Sequence, residues 1–180
     1  MTNNNLNPHD RLVRSLMKDK KVAREFFTKH LPVNIKNQIQ LDSLKLQDNS
    51  YISDNLKMQI TDLLFKTDFN GKPGYLYLLV EHQSQPEKLM PFRILKYMIA
   101  IMEDHLGQNN TAILPVVYPM IMYSGGKPYN YSTNLLDLFE EQKELALEVF
   151  LHGYQLVDIS QIPDEELKKK RKKLCLTQNN

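Results

Sequence analysis

The chain has 180 residues, 42% of them hydrophobic, and a formal net charge of +2, which is the composition of one soluble domain with a substantial core. Its single cysteine, Cys175, excludes an internal disulfide framework, and so small a net charge excludes nucleic-acid binding through a global field. The N-terminal residues lack the apolar segment of a signal peptide, and no apolar run approaches the roughly 20 residues of a membrane span. We therefore expect a cytoplasmic protein with no membrane partner.

The first part of the chain predicts one helix followed by strands. Apolar residues recur near the helical period over residues 8–30, and Leu31-Pro32 ends that helix because a residue before proline is driven out of the helical region. The polar stretch 36–49 carries leucines at a spacing that decides neither strand nor helix. Residues 51–54 and 56–68 are the first strand candidates.

The second part predicts a hairpin, a helix and a buried strand. The turn sequence Asn70-Gly71-Lys72-Pro73-Gly74 joins the 56–68 strand to a strand at 75–80. A broad apolar stripe predicts a helix over 89–106 that ends at Gly107. Residues 112–123 predict a fully buried strand, in which Pro115 and Pro119 fit poorly. Helices at 135–139 and from Gln142, and a strand at 154–159, complete the prediction.

Acidic and amide side chains fall on the two arms of the predicted hairpin. Asp62 lies inside the first arm, and Glu81 and Gln83 end the second arm on one face, since side chains alternate along a strand. Carboxylates that converge from adjacent strands suit Mg²⁺ or Mn²⁺, and such an ion activates water for attack on a phosphate. On spacing alone, the stronger interpretation is structural, with Glu81 marking a strand end and Asp62 pairing with a cation.

The following helix places Arg93 and Tyr97 on one face, four residues apart. Packed beside the strand end, Arg93 could clamp a phosphate and Tyr97 could donate a hydrogen bond to it. The structural alternative is an ordinary ion pair from Arg93 to Glu87 or Asp104, with Tyr97 in the core. Asp10 fits a helix N-terminus electrostatically and is also the candidate for an additional acid at the site.

These residues carry a resemblance to a known family. The chain resembles the Rpn recombination-promoting nucleases, also described as YhgA-like transposases, through His9-Asp10, Leu31-Pro32, TDLLF around Asp62, LVEHQSQPEKLMPFRILKY and LPVVYPMIMYSGG. The resemblance runs from about His9 to the region of Asp158. Its most specific part is the string EHQS followed by the spacing Met-x-x-Arg-x-x-x-Tyr, which ends at Tyr97.

That family is similar to the PD-(D/E)XK nuclease superfamily, and the resemblance therefore implies an α/β fold with a mixed central sheet flanked by helices. It implies metal-dependent hydrolysis of DNA phosphodiesters, with Asp62 and Glu81 as metal ligands and Asp62, Glu81 and Gln83 as catalytic residues. Arg93 and Tyr97 would support the DNA phosphate. Gln83 stands where the superfamily usually has lysine, which leaves open what stabilises charge on the phosphate.

The prediction is a Mg²⁺- or Mn²⁺-dependent DNA endonuclease with a recombination or mobile-element function, in a PD-(D/E)XK-like domain over residues 8–160. The family usually continues past this length, so the basic segment 161–180 is expected to be a truncated or poorly ordered tail. DNA is the expected partner, and a homodimer is left open. The alternative is a catalytically degenerate relative that binds DNA or a protein partner without cleaving.

Overall fold

The computed structural model describes residues 8–47, 62–81, 85–158 and 160, apart from the side chains of residues 8–10. The described elements are, in chain order, α1 (Pro8–Met17), α2 (Lys20–His30), α3 (Val33–Lys36), β1 (Ile39–Leu46), β2 (Leu63–Phe69), β3 (Lys72–Glu81), α4 (Met90–Asn109), β4 (Val116–Tyr123), a 3₁₀ helix (Leu135–Gln142) and α5 (Lys143–Leu151). The strand candidate at 51–54 and the tail at 161–180 lie outside the described residues. Of the helices described, none is long and apolar enough for a membrane span.

The chain divides into two compact units after Leu135. The first unit carries the elements from α1 to β4, and the second carries α5. Within the second unit, the rings of Phe139 and Phe150 pack edge to face with their centroids 6.0 Å apart.

The described strands of the first unit form one mixed sheet in the order β1-β2-β3-β4. β1, β2 and β3 are antiparallel neighbours, whereas β4 runs parallel to β3. Side chains of α1 and α2 pack on one face of this sheet and those of α4 pack on the other, giving two core clusters. The predicted α/β fold with a mixed sheet flanked by helices is confirmed.

The hairpin between β2 and β3 is confirmed, with a shorter turn than predicted. Phe69 pairs with Lys72, so the turn consists of Asn70 and Gly71 alone, and Pro73 lies within β3. Both turn residues have positive φ, 51° at Asn70 and 81° at Gly71. These angles are typical of a type I′ turn, which suits Asn-Gly and matches the twist of the strands.

The predicted helix over residues 8–30 is in fact two helices. α1 ends at Met17, and Asp19 caps α2 by accepting a hydrogen bond from the backbone N–H of Lys21. Aspartate is among the preferred N-cap residues, and this local preference overrides the continuous apolar period. The predicted stop at Leu31-Pro32 is confirmed, because α2 ends at His30.

The undecided stretch 36–49 contains β1. Its pairing register with β2 shifts between Gln40 and Lys45, so a bulge interrupts the alternation of side chains. Ile39 and Leu44 are the buried residues of this strand. In a strand with such a bulge, apolar and polar residues do not alternate regularly, so the sequence lacks the usual pattern of a strand.

The predicted end of α4 at Gly107 is wrong. The helix continues to Asn109, and Asn110 ends it in the left-handed conformation with φ 45°. Asparagine is one of the few non-glycine residues that adopt this conformation readily. Gly107 therefore lies inside the last turn.

The prediction of a fully buried strand over 112–123 is also wrong. β4 lies at one end of the described sheet, and most of its residues are half-buried. A strand in this position tolerates Pro119, because its backbone is not required for pairing on both sides.

The helices predicted at 135–139 and from Gln142 are confirmed as the 3₁₀ helix and α5. The predicted strand at 154–159 is wrong over residues 154–158, which have no regular structure, and Ile159 lies outside the described residues. Without a neighbouring strand, alternation over so few residues does not specify a strand.

Candidate functional site

The two candidate acids lie on the same face of the sheet. Asp62 immediately precedes β2, and Glu81 ends β3. Leu63 pairs with Leu78, so continuing this register places Asp62 opposite Leu79, two residues from Glu81. Such diagonal neighbours are about 7–8 Å apart between Cα atoms, a distance that the side chains can close. The face is the one that packs against α4, since Leu64 and Leu79 belong to that core cluster.

Both acids are buried, with Asp62 0% and Glu81 4% exposed. Ionised carboxylates are costly to bury, so they are kept in such places by hydrogen bonds, counter-ions or metal ions. Burial of two acids on one face distinguishes this region from an ordinary strand end, where acids are exposed to water.

Asp62 accepts a hydrogen bond from Tyr77. The Tyr77 Oη atom lies 2.9 Å from Asp62 Oδ2, and Tyr77 is fully buried in the middle of β3. Burial, and then the charge of Asp62, raises the pKa of Tyr77 far above its usual range. The phenol therefore keeps its proton and is the donor of this hydrogen bond.

Glu81 is held by Arg93. Arg93 Nη1 donates to Glu81 Oε2 at 2.8 Å and to Glu87 Oε2 at 3.2 Å. The Arg93 and Glu81 side chains are 14% and 5% exposed, whereas that of Glu87 is 34% exposed. Burial acts to lower the pKa of Arg93, but hydrogen bonding with Tyr97 and the charge of Glu81 outweigh it and raise the pKa. Arg93 is thus a permanent cation between a buried acid and a half-exposed one.

Tyr97 links the two halves of the site. Its ring lies 5.6 Å from the Tyr77 ring between centroids, and the Arg93 guanidinium carbon lies 5.9 Å from the centre of the Tyr97 ring. Arg93 and Tyr97 share a face of α4, and Tyr97 is buried in the core cluster of that face. The structure thus shows the ion pair to Glu87 and the core position of Tyr97 that the structural alternative expected. It adds the contact of Arg93 with Glu81.

Two candidates cannot be placed at the site. Gln83 lies outside the described residues, and Asp10 lies in α1 with its side chain outside them. Met17, at the other end of α1, packs on the face of the sheet opposite the acids. The roles of Gln83 and Asp10 remain predictions.

Sequence reasoning missed Tyr77. The available signal was its position four residues before Glu81 on one strand, which places both side chains on the same face. A tyrosine inside an apolar strand also needs a hydrogen-bond partner for its hydroxyl, and a buried acid is a natural one.

The donor set fits a hard divalent cation. Carboxylate oxygens are the ligands preferred by Mg²⁺ and Mn²⁺, whereas zinc and softer metals select histidine and cysteine. In the described ranges, no three His, Cys, Asp or Glu residues come together as a metal-binding group. The fit therefore rests on Asp62 and Glu81, and magnesium keeps several water ligands when few carboxylates bind it.

The fold and these residues define an α/β protein with a buried acidic pair beside an arginine. The chain belongs to the family described as "Putative transposase, YhgA-like", whose model matches residues 7–179. This confirms the resemblance to Rpn and YhgA-like proteins that the sequence motifs indicated.

Named relatives come from Escherichia coli. The chain is 38% identical to the recombination-promoting nuclease RpnC over 92% of its own length and 55% of that protein, and 36% identical to the recombination-promoting nuclease RpnA over 94% and 58%. It is 34% identical to the inactive recombination-promoting nuclease-like protein RpnE, over 92% and 55%. The chain thus spans little more than half the length of these relatives. No solved structure matches it.

Proposed function

We propose that this chain carries the catalytic unit of a metal-dependent DNA endonuclease with a function in recombination. The observation that carries the proposal is the pair of buried carboxylates, Asp62 and Glu81, on one face of neighbouring strands. Relatives named as recombination-promoting nucleases support the reaction class.

A core of the PD-(D/E)XK type is part of the proposal. An antiparallel hairpin bears both acids, helix α4 follows, and β4 returns parallel to β3. This order supports such a core, because the α4 crossover covers the face on which the acids lie and brings a cationic side chain to the end of β3.

Each described residue has a role in the proposed reaction. Asp62 and Glu81 would hold Mg²⁺ or Mn²⁺, which when bound supplies a polarised phosphate oxygen and a more acidic water. Arg93 holds Glu81 in place through an ion pair, and it would support a DNA phosphate by hydrogen bonding at the same strand end. Tyr97 supports the guanidinium through its ring. Gln83 would orient water or phosphate, as its position in the sequence predicts.

The test is nicking of supercoiled plasmid by the purified chain with Mg²⁺ or with EDTA. Asp62→Asn and Glu81→Gln should each lower Mg²⁺-dependent nicking by at least about 100-fold, since loss of a ligand should exceed the 10- to 100-fold typical of an outer-sphere partner. Glu103→Gln, which changes an exposed acid on α4, is the control and should nick like the parent. Retention of full activity by either site variant would show that its acid is not a ligand.

A second candidate is a relative that binds DNA or a protein partner without cleaving. The observation in its favour is that Glu81 already has a cation, Arg93, at 2.8 Å. A relative named as inactive matches the chain to a similar extent. Fluorescence anisotropy with labelled DNA separates the two candidates, because binding without nicking at any Mg²⁺ or Mn²⁺ concentration supports the second.

A further inference from the structure

We propose that Tyr77 is a positioning residue for Asp62, whose carboxylate it fixes in the orientation that binds a divalent cation. The inference rests on the proposed function, since it assigns to Asp62 the role of a metal ligand. It adds a residue that the sequence motifs of the family resemblance did not include.

Asp62 needs such support because of its place in the chain. The pairing of β2 with β3 begins at Leu63 and Leu78, so Asp62 stands just before the ladder. The backbone of such a residue is less constrained than that of a paired residue, and its side chain has rotamers that aim elsewhere. A hydrogen bond at 2.9 Å to Oδ2 favours one orientation of the Asp62 carboxylate.

Tyr77, by contrast, is anchored at the centre of the sheet. Its backbone pairs with Leu64 of β2 on one side and with Pro119 of β4 on the other. Its ring is fully buried and packs against Tyr97 of α4. The position of the Tyr77 hydroxyl is therefore fixed, and a hydrogen bond from it can orient the Asp62 carboxylate.

The direction of the hydrogen bond is also fixed. A phenol O–H donates and a carboxylate oxygen accepts, so Tyr77 is the donor and Asp62 Oδ2 is the acceptor. Hydrogen-bond partners of this kind orient metal ligands in many proteins, and their loss commonly weakens metal binding 10- to 100-fold.

Tyr75 provides a matched comparison. It lies two residues before Tyr77 on the same face of β3 and is equally buried, at 0% exposure. Its hydroxyl lies 3.0 Å from His105 Nδ1. Tyr75→Phe and Tyr77→Phe thus each remove one buried hydroxyl from the same strand face, and the hydroxyl removed by Tyr77→Phe is the one that donates to Asp62 Oδ2.

The experiment is isothermal titration of the full chain with Mn²⁺ alone, in parallel with nicking assays over a range of Mg²⁺ concentrations. Tyr77→Phe should weaken Mn²⁺ binding by about tenfold or more and should regain nicking at high Mg²⁺, because Asp62 is still present. Tyr75→Phe should bind Mn²⁺ like the parent, although both variants lose stability to urea.

Each result supports or overturns the inference. Equal Mn²⁺ affinity of Tyr77→Phe and the parent would overturn it and leave the proposed function standing. Equal weakening by both tyrosine variants would overturn it as well, since a general loosening of the core would then suffice. If the parent binds neither Mn²⁺ nor Mg²⁺ and never nicks DNA, the proposed function fails and the inference fails with it.

A second measurement keeps the inference testable if Tyr77→Phe does not fold. 3-Fluorotyrosine placed only at position 77 preserves the hydroxyl, and its ¹⁹F resonance reports on the bond to Asp62. Titration with Mg²⁺ should shift this resonance with the midpoint of metal binding, whereas the same label at position 75 should not shift. Binding of Mg²⁺ without a shift at position 77 would overturn the inference.

Discussion

The ion pair between Arg93 and Glu81 should be strongly coupled in the folded state, whereas that between Arg93 and Glu87 should not. Both pairs share one donor atom, Arg93 Nη1, but the first is shorter, at 2.8 Å against 3.2 Å. Glu81 is 5% exposed and Glu87 is 34% exposed, so water screens the second pair far more. The partly exposed pair of Arg93 with Glu87 therefore serves as a control for the buried pair of Arg93 with Glu81.

The expected magnitudes follow from this difference in exposure. Two unit charges about 4 Å apart attract by about 4 kcal/mol at an effective dielectric of about 20. Because the Arg93 side chain is 14% exposed, water screens part of this attraction, and a coupling energy of about 2 kcal/mol is expected for Arg93 with Glu81. For the half-exposed Glu87, a coupling of about 0.2–1 kcal/mol is expected. The raised pKa of Arg93 keeps it charged throughout the accessible pH range, so the arginine itself adds no pH dependence.

The assay is urea unfolding in EDTA, applied to two double-mutant cycles. One cycle uses Arg93→Met and Glu81→Gln, and the other uses Arg93→Met and Glu87→Gln. EDTA removes divalent ions, so the cycles report on the protein alone. A coupling with Glu81 below about 0.5 kcal/mol, or one no larger than that with Glu87, would refute the reasoning from burial.

Three further predictions concern other parts of the first unit. Burial lowers the pKa of His105, so the unfolded chain binds more protons, and this contribution to stability should be lost as pH falls below about 6.5. His105→Gln should flatten the stability slope in urea unfolding between about pH 7.5 and 5.5, and an unchanged slope would contradict this. A methyl group at Gly74 would meet the Phe69 ring and lie 3.0 Å from the Val116 carbonyl, so Gly74→Ala should cost about 1–3 kcal/mol. Gly71→Ala meets no neighbouring atom but has φ 81°, so about 1–2 kcal/mol is expected, and a larger cost than at Gly74 would count against the packing argument.

The face shared by the two acids depends on the length of one turn. A five-residue turn over 70–74 would pair Phe69 with Tyr75, which would put Asp62 and Glu81 on opposite faces of the sheet. The two-residue turn pairs Phe69 with Lys72 and puts them on the same face. The sequence predicted the hairpin from Asn70-Gly71, but the inclusion of Pro73 and Gly74 in the turn left the register undetermined. Positive φ at both Asn70 and Gly71 is typical of a two-residue turn, and this turn determines the pairing register of β2 and β3.

The contact of Arg93 with Glu81 was beyond sequence reasoning. The sequence suggested Glu87, which precedes the predicted helix closely, or Asp104, which lies on the same helix as Arg93. Glu81 lies 12 residues away in sequence and meets Arg93 because α4 packs across the end of β3. Periodicity predicts which face a residue occupies, but it does not predict how far along a neighbouring strand a helix sits.

β1 was left undecided and Tyr77 was missed, for different reasons. In β1 a bulge removes the alternation that strand prediction requires. In β3 nearly every residue is buried on both faces, so a tyrosine with a specific partner looks like one more core residue. The face of Tyr77 was predictable, whereas the meeting of its hydroxyl with Asp62 depends on the register.

A strong coupling between Arg93 and Glu81 would not by itself show that the pair stabilises the fold. Coupling compares the pair with a state in which one charge is left buried alone, whereas net stability compares it with apolar residues of similar size.

Replacing both partners at once, as Arg93→Leu with Glu81→Met, is therefore expected to be neutral or stabilising by about 1–4 kcal/mol. The same double variant should lose Mg²⁺-dependent nicking, because a proposed metal ligand is gone. Gain of stability with loss of nicking would indicate that the buried charges serve the reaction, at a cost to the fold. A double variant that is less stable than the parent by more than about 1 kcal/mol would show the opposite, that the pair is mainly structural, and would weaken the proposed endonuclease site.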